Sequence, residues 1–566
     1  MTIPDLNKYQ QAAVESERTD TVVIAAPGTG KTRTLAARYR YMLNTVRALP
    51  STICVLTFTR YAANELRARL GAGTGASHIG TFHSLCLKLV QQYGRLRLWD
   101  PEWMTILDEG EAHAEQCETL REVGLLTTAG WRHKGSWKQW DAFNSCCRRG
   151  EPVKTNVLTS LMGAAYRRYR DRLHAENCLT YDTLLEEGWM LAVKDMAYEH
   201  ILVDEAQDCD IFNWRIIRML DPTTTWVVGD VDQSIYQWRD ACPDHLIELA
   251  QPAMCMLPLT YRFGPALAEM ANRLIAHNSK RLAMTIEARP GDETRICSIP
   301  DLMAAADRLA DRATALGPNN VVLLARTHAV LDDLALLMAE HHPDLKVEHV
   351  GGKTSVVNTP EFRAVRGYLR LAVNPLDRQA FAAIATSEHL SASQLWDIRA
   401  KASRQHMSMP DAYQEKLPMS GLKVWDPPGP VPVDRALVEI ESHLTKRDPK
   451  QDYGPCLAYL RRYAEREVIQ DAAELVRSLA LDGAQERLAD APEDTIRLMT
   501  IHAAKGLEWP CVVLLTDGMP SKRSVQEGLL EEERRLCYVA MTRAQSELHM
   551  QSSGQFWGET FPEKSG

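Results

Sequence analysis

The sequence predicts an α/β protein with two series of parallel strands, each interrupted by a mainly α-helical insertion. Three observations predict it: short β-branched or apolar runs, Gly-rich or acidic turns where those runs end, and helical patterns between them. Thr21–Ile24 precedes a Gly-rich turn, and Ile53–Phe58 precedes the helical pattern Tyr61–Leu70. Runs that are apolar throughout suit parallel strands covered on both faces. His200–Val203 and Thr225–Gly229 end in acidic residues, at the carboxyl ends of strands, where such sheets bind ligands. A second series resumes at Val321–Leu324, Thr495–Leu498 and Cys511–Leu515. The expected organisation is a first lobe over 1–92 and 198–262 with a helical insertion over 93–197. A second lobe over 263–386 and 491–566 carries a shorter helical insertion over 387–490. The Pro-rich stretch Trp425–Pro432 reads as a loop or hinge in that second insertion.

Composition excludes several classes. At 566 residues, 45% hydrophobic and 25% charged, the chain is neither a small module nor a disordered one. No run approaches the roughly 18 apolar residues of a membrane span, and residues 1–5 do not open a secretory signal, so the expectation is a soluble cytoplasmic chain without a membrane partner. Thirteen scattered cysteines without a CxxC pair argue against a disulfide framework and a structural zinc site. The net charge of −9 hides a local excess: Trp131 to Arg172 holds ten Lys or Arg against three Asp or Glu. Trp131, Trp137 and Trp140 interleave with these cations, which suits either a phosphate-tracking surface or a solvated helical face.

The run Ala25-Ala26-Pro27-Gly28-Thr29-Gly30-Lys31-Thr32, followed by Arg33, comes after the first strand and opens a helix, the context of a phosphate-binding loop. Its glycines let backbone N–H groups surround phosphate oxygens, Lys31 reaches the terminal phosphates, and Thr32 offers a hydroxyl to Mg²⁺. Ala25 departs from the strict pattern, which has Gly there. Asp204 and Glu205, at the end of His200–Val203, supply a metal-holding acid and a carboxylate able to take a proton from an attacking water.

With these in place the sequence resembles the UvrD/Rep/PcrA-like superfamily 1A DNA helicases, from Leu6 to about Met550. The blocks follow the family's order: Leu6–Gln10; Leu56–Thr59; Gly80–Ser84; Asp204–Asp208; Val228–Arg239; Leu259–Arg262; Gly351-Gly352; Met499–Glu508; and Glu531–Ala544. The resemblance implies two RecA-like P-loop motor lobes with ATP and Mg²⁺ between them, Thr32 and Asp204 being the metal residues. It implies that Gln10 reads adenine, Tyr261 stacks on the base and Glu508 bonds the ribose. Gln233 would sense the γ-phosphate, and Arg262 and Arg543 would project from the second lobe as cationic fingers. On a bland reading, Arg543 is half of a helical surface pair with Glu547.

Phe58, His83, Tyr236, Trp238, Arg239 and His502 match positions that face DNA in the family. Aromatic platforms beside cations suit sequence-independent grip on a single strand. The implied activity is ATP-driven 3′ to 5′ movement on single-stranded DNA with separation of duplex, in a nucleoid-associated cytoplasmic protein. The alternative is an ATP-switched DNA-binding subunit that loads or regulates a protein partner, such as a nuclease, through its short second insertion.

Overall fold

A computed structural model describes residues 6–71, 75, 77–192, 198–236, 241–249, 254–350, 356–405, 407–414, 431–481, 494–526 and 528–551. The first sheet contains β1 (Asp20–Ala25), β2 (Ile53–Thr57), β3 (His78–Thr81), β4 (His200–Val203), β5 (Thr224–Gly229) and β6 (Met254–Leu257). All pairings are parallel, in the order β6-β1-β5-β4-β2-β3. Val23, Val55, Leu202 and Val228 of its central strands are buried with Leu35 and Tyr39 of the helix Lys31–Tyr41. Covering both faces of such a sheet requires helices between its strands, which is why the apolar runs alternate with helical patterns.

The second sheet contains β7 (Arg295–Ile299), β8 (Val321–Ala325), β9 (Val347–His349), β10 (Ile496–Thr500), β11 (Trp509–Leu514) and β12 (Ala544–Gln551). It too is parallel throughout, in the order β7-β12-β11-β8-β10-β9. Leu323, Val513 and Leu498 pack there against Leu309 of the helix Leu302–Leu316 and Leu334 of His328–His341. These are two α/β lobes with parallel sheets. Among the described residues no helix is long and apolar enough to cross a membrane.

The chain divides into two compact units, and both sheets lie in the one made of residues 1–82, 195–352 and 483–566. The other unit, 83–194 with 353–482, is mainly helical, with two small two-stranded sheets among its described residues. The helices Pro360–Val373 and Arg378–Ile384, expected in the second lobe, instead share a core with the insertion helices: Val365, Tyr368, Leu369, Phe381 and Ile384 are buried with Leu437, Leu460 and Leu475. Of the Pro-rich stretch, residues 425–430 lie outside the described residues.

Inside this helical unit the two segments meet through a polar seam. Arg366 lies 2.9 Å from Asp108 and from Glu111; buried Arg370 pairs with Glu111 and, at 2.7 Å, with Asp377. Arg378 reaches Glu118 at 2.9 Å, and Asn374 Nδ2 donates to the Glu176 carbonyl at 2.7 Å. Burial, and then the charge of Glu115, push the Glu176 carboxyl up to about 8. The folded state thus keeps a proton that the unfolded chain releases above its ordinary 4.5. This group's stabilisation is complete below that value and is lost as pH rises towards 8. Glu176→Gln keeps the shape without the charge. Calorimetry should show its melting temperature a few degrees above the parent's at about pH 8.5, and nearly equal to it at about pH 5.

The basic excess between Trp131 and Arg172 does not produce a bare cationic face. Arg148 pairs with Asp182 and Glu186, Arg170 with Glu186 and Glu187, Arg172 with Glu115, Glu118 and Glu122, Arg168 with Glu122, and Arg149 with Glu151. Most of those acids stand on the helices Glu109–Glu122 and Tyr181–Ala192, outside the counted window, so a linear charge count misses them. Trp140 is fully buried, and Trp131 and Trp137 pack against the same small core.

Candidate functional site

The loop after β1 is held open by its glycines. Gly28 and Gly30 have φ of +74° and +81°, and a Cβ on Gly28 would lie 2.5 Å from both Thr260 Oγ1 and Arg262 Cβ. Only glycine fits so close an approach. Thr260 Oγ1 donates to the Pro27 carbonyl at 2.8 Å, and the Tyr261 N–H to that of Gly28 at 2.9 Å. Gln10 is buried; its Nε2 donates to the Thr29 carbonyl at 3.0 Å and its Oε1 accepts from the Asn7 N–H. The amide nitrogen thus braces the loop while the amide oxygen caps the helix Lys8–Val14 that carries it. The Ala26 N–H is tied to the Leu257 carbonyl at 3.2 Å, and Arg33 is exposed on the first helical turn. Lys31 Nζ donates to the Ala25 carbonyl at 3.2 Å, and Thr32 Oγ1 to Asp204 Oδ2 at 3.3 Å.

Asp204 follows β4, and Glu205 takes a left-handed backbone conformation, φ +50°, that costs a non-glycine residue about 1–3 kcal/mol. From Glu205 a line of side chains crosses the site. Gln207 Nε2 donates to Glu205 Oε2 (2.6 Å), and Gln207 Oε1 accepts from the Asp230 N–H (2.9 Å). Gln233 Nε2 donates to Asp230 Oδ2 (2.6 Å), and Gln233 Oε1 accepts from Arg543 Nη2 (3.1 Å). Burial, then the charge of Glu205, raise the Asp204 carboxyl well above its ordinary value. For Glu205, burial pushes upward too, but Lys31 and Lys505 outweigh it and hold the carboxyl below the usual range. Adjacent acids driven in opposite directions can take different roles.

Arg543 stands just before β12, buried, donating from Nε to the Val539 carbonyl and from Nη1 to that of Leu507. Burial, and then the neighbouring charge of Arg262, push its pKa down to about 9. Two guanidiniums so placed favour an anion between them. The helix Leu530–Met541 ends before Arg543, and Glu547 lies on β12, so the helical Arg543–Glu547 pair does not exist. Arg262 is anchored beside the glycine loop. Its Nε donates to Glu508 Oε2 at 2.6 Å and its Nη1 to the Thr542 carbonyl at 2.9 Å. Burial raises the Glu508 carboxyl, but Arg262 outweighs it and holds the group low. Tyr261 is part-exposed; its hydroxyl accepts from Asn7 Nδ2 at 2.8 Å, and the Arg289 guanidinium lies 5.0 Å from its ring centre.

The Phe58 and Tyr236 rings stack at 5.0 Å, and the Tyr236 hydroxyl donates to the His502 carbonyl at 3.2 Å. Trp238, Arg239, Gly351 and Gly352 lie outside the described residues. His83 belongs to the helical unit, where its ring meets Tyr181 edge-on at 5.3 Å. Sequence reasoning gave no role to Gln207, Asp230 or Lys505. Buried Lys505 donates to Asp208 and to the Gln233 carbonyl, and its ammonium lies 5.1 Å from the Tyr236 ring centre. The available signal was its position: it is the one charged residue between His502 and Glu508.

A glycine loop, paired acids and arginines converging from two parallel-sheet lobes define a P-loop helicase architecture. Comparison with known families agrees: residues 6–253 match the UvrD/REP helicase N-terminal domain and 454–555 the UvrD-like helicase C-terminal domain. The chain belongs to the UvrD/Rep/PcrA-like superfamily 1A helicases, a family of ATP-dependent DNA helicases. It is 27% identical to ATP-dependent DNA helicase Rep of Salmonella typhimurium, over 96% of this chain and 90% of the relative. It is 27% identical to DNA helicase II of Escherichia coli (96% and 84%) and 25% to ATP-dependent DNA helicase PcrA of Bacillus subtilis (96% and 82%).

Proposed function

We propose that this chain hydrolyses ATP to move 3′ to 5′ along single-stranded DNA and separates duplex ahead of it. The observation that carries the coupling is the hydrogen-bonded line from Glu205 through Gln207, Asp230 and Gln233 to Arg543, which joins an acid of the first sheet to a cation of the second. The 3′ to 5′ direction rests on the family resemblance alone. The loop 26–30 with Lys31 cradles the phosphates, Glu508 and Tyr261 hold the nucleoside, and Arg262 and Arg543 neutralise charge as the γ-phosphoryl leaves. Glu205, held ionised, orients the attacking water and accepts its proton. Thr32 and Asp204, an all-oxygen pair 3.3 Å apart, would hold Mg²⁺, which would supply charge neutralisation at the phosphates. Lys505 touches both the Gln233 carbonyl and the face of Tyr236, so a change at the nucleotide reaches the Phe58–Tyr236 stack on which bases would rest.

The test compares ATP-dependent unwinding of duplexes with only a 3′ tail or only a 5′ tail, with Lys31→Ala as control. Only the 3′-tailed substrate should open. Strand-stimulated hydrolysis without separation of either substrate would favour the loading-subunit reading, with a protein partner on the second insertion. Tyr236→Ala should raise the DNA concentration for half-stimulation of hydrolysis roughly tenfold, as about 1–3 kcal/mol of base stacking implies, while basal hydrolysis changes little. Equal loss of both rates would assign Tyr236 to folding.

A further inference from the structure

Away from the nucleotide site, β11 and β12 bring together three side chains that the proposed mechanism does not use. Cys511 pairs in register with Glu547 across the two strands, and His549 follows Glu547 by two residues, so all three lie on one face of the sheet. One ligand atom from each lies within 4.8 Å of the other two. Cys511 and His549 are buried, and Glu547 is partly open to solvent. The imidazole is underused: its Nε2 stands 2.9 Å from Glu547 Oε2, and its buried Nδ1 has no hydrogen-bond partner. Cys297 of β7 pairs in register with His549 and so sits on the same face.

We propose that Cys511, Glu547 and His549 form a binding site for a borderline divalent cation, with zinc the preferred ion. Sulfur, nitrogen and oxygen donors in one cluster suit zinc, whereas magnesium and calcium take oxygen alone. Three protein ligands leave a fourth position for water or the Cys297 thiol. The charges balance: a thiolate and a carboxylate offset the ion's two positive charges. Arg312, 3.5 Å from Glu547, and Arg308 stand on the covering helix Leu302–Leu316, and Arg295 lies opposite Glu547 in register. Their positive potential weakens the site and makes thiolate formation essential to it. A thiol without a metal ordinarily carries its proton at neutral pH. Binding replaces the S–H bond with a sulfur–zinc bond and releases that proton to solvent, with no change of oxidation state.

The experiment strips the full-length chain with a chelator, titrates it with cobalt(II) as a spectroscopic stand-in, then displaces the cobalt with zinc. One cobalt per chain should bind with a thiolate-to-metal charge-transfer band, zinc should abolish the band, and about one proton should be released per ion near neutral pH. Cys511→Ser should remove the band, and Glu547→Gln, which preserves shape, should weaken binding at least about tenfold. Cys117→Ser, a thiol outside the cluster, should change neither. Melting curves of the metal-free proteins separate ligand loss from misfolding. A band of equal strength in Cys511→Ser, binding spread over several of the thirteen cysteines, or no band in the folded parent protein would each overturn the assignment.

Discussion

Arg543→Ala should leave ATP bound and lower DNA-stimulated turnover by about 10³-fold or more, the range that a cationic finger supplies in phosphoryl transfer. Arg543 is buried, its pKa pushed down by burial and by Arg262 against the opposing charges of Glu205 and Glu508, and it is fixed by carbonyls of Val539 and Leu507. The substitution removes a charge that the developing transition state needs and breaks the line to Glu205 at Gln233. It also removes a donor from the Leu507 carbonyl and one of the two donors, Arg543 and Thr542 Oγ1, that serve the Val539 carbonyl, so a melting curve and a fluorescent-nucleotide titration must accompany the rate. Normal nucleotide affinity with lost turnover supports the finger. Unchanged turnover removes Arg543 from that role.

Glu205→Gln should lower hydrolysis by about 10²- to 10⁴-fold, the usual worth of a general base, while nucleotide and DNA affinities hold. The exchange conserves shape and the contact with Gln207, so the fold has little reason to change. Because Lys31 and Lys505 outweigh burial and hold the Glu205 carboxyl below its usual range, the wild-type residue stays ionised across neutral pH. The ratio of the two rates should therefore be flat from about pH 6 to about pH 8. A ratio that shrinks steeply toward the acid side would mean that Glu205 itself takes up a proton in that range, because a group present in both proteins, such as Asp204, cancels from the ratio, and would overturn its ionised state.

Much of this organisation was legible because each lobe announces itself through apolar runs. Thr21–Ile24, Ile53–Phe58, Thr225–Gly229, Val321–Leu324 and Cys511–Leu515 all mark strands that are largely buried, with Phe58 and Leu515 just past the strand ends. Other strands gave no such signal. β3 is His-Ile-Gly-Thr, β9 is Val-Glu-His, and β12 mixes Gln, Ser, Glu and His with its apolar residues. Such strands take their conformation from the neighbours they pair with, and their own composition does not announce it. The glycine loop and the acids at 204 and 205 were legible as motifs. The line through Gln207 and Asp230 was not, because it exists only once β4 and β5 lie side by side. The tryptophans at 131, 137 and 140 read ambiguously for a related reason: the core they fill is assembled with Leu120 and Met162, from helices that precede and follow them in the chain.

In the second sheet no two of β7, β8 and β9 are neighbours: β12 and β11 separate β7 from β8, and β10 separates β8 from β9. During synthesis on the ribosome these three segments emerge about 150 residues or more before the stretch 496–551 that interleaves them. Until then each presents open edges on both sides, a state prone to sticking to other nascent chains. Newborn molecules should thus lean on chaperones until translation is nearly done, and a premature stop codon in that late stretch would forfeit an entire lobe.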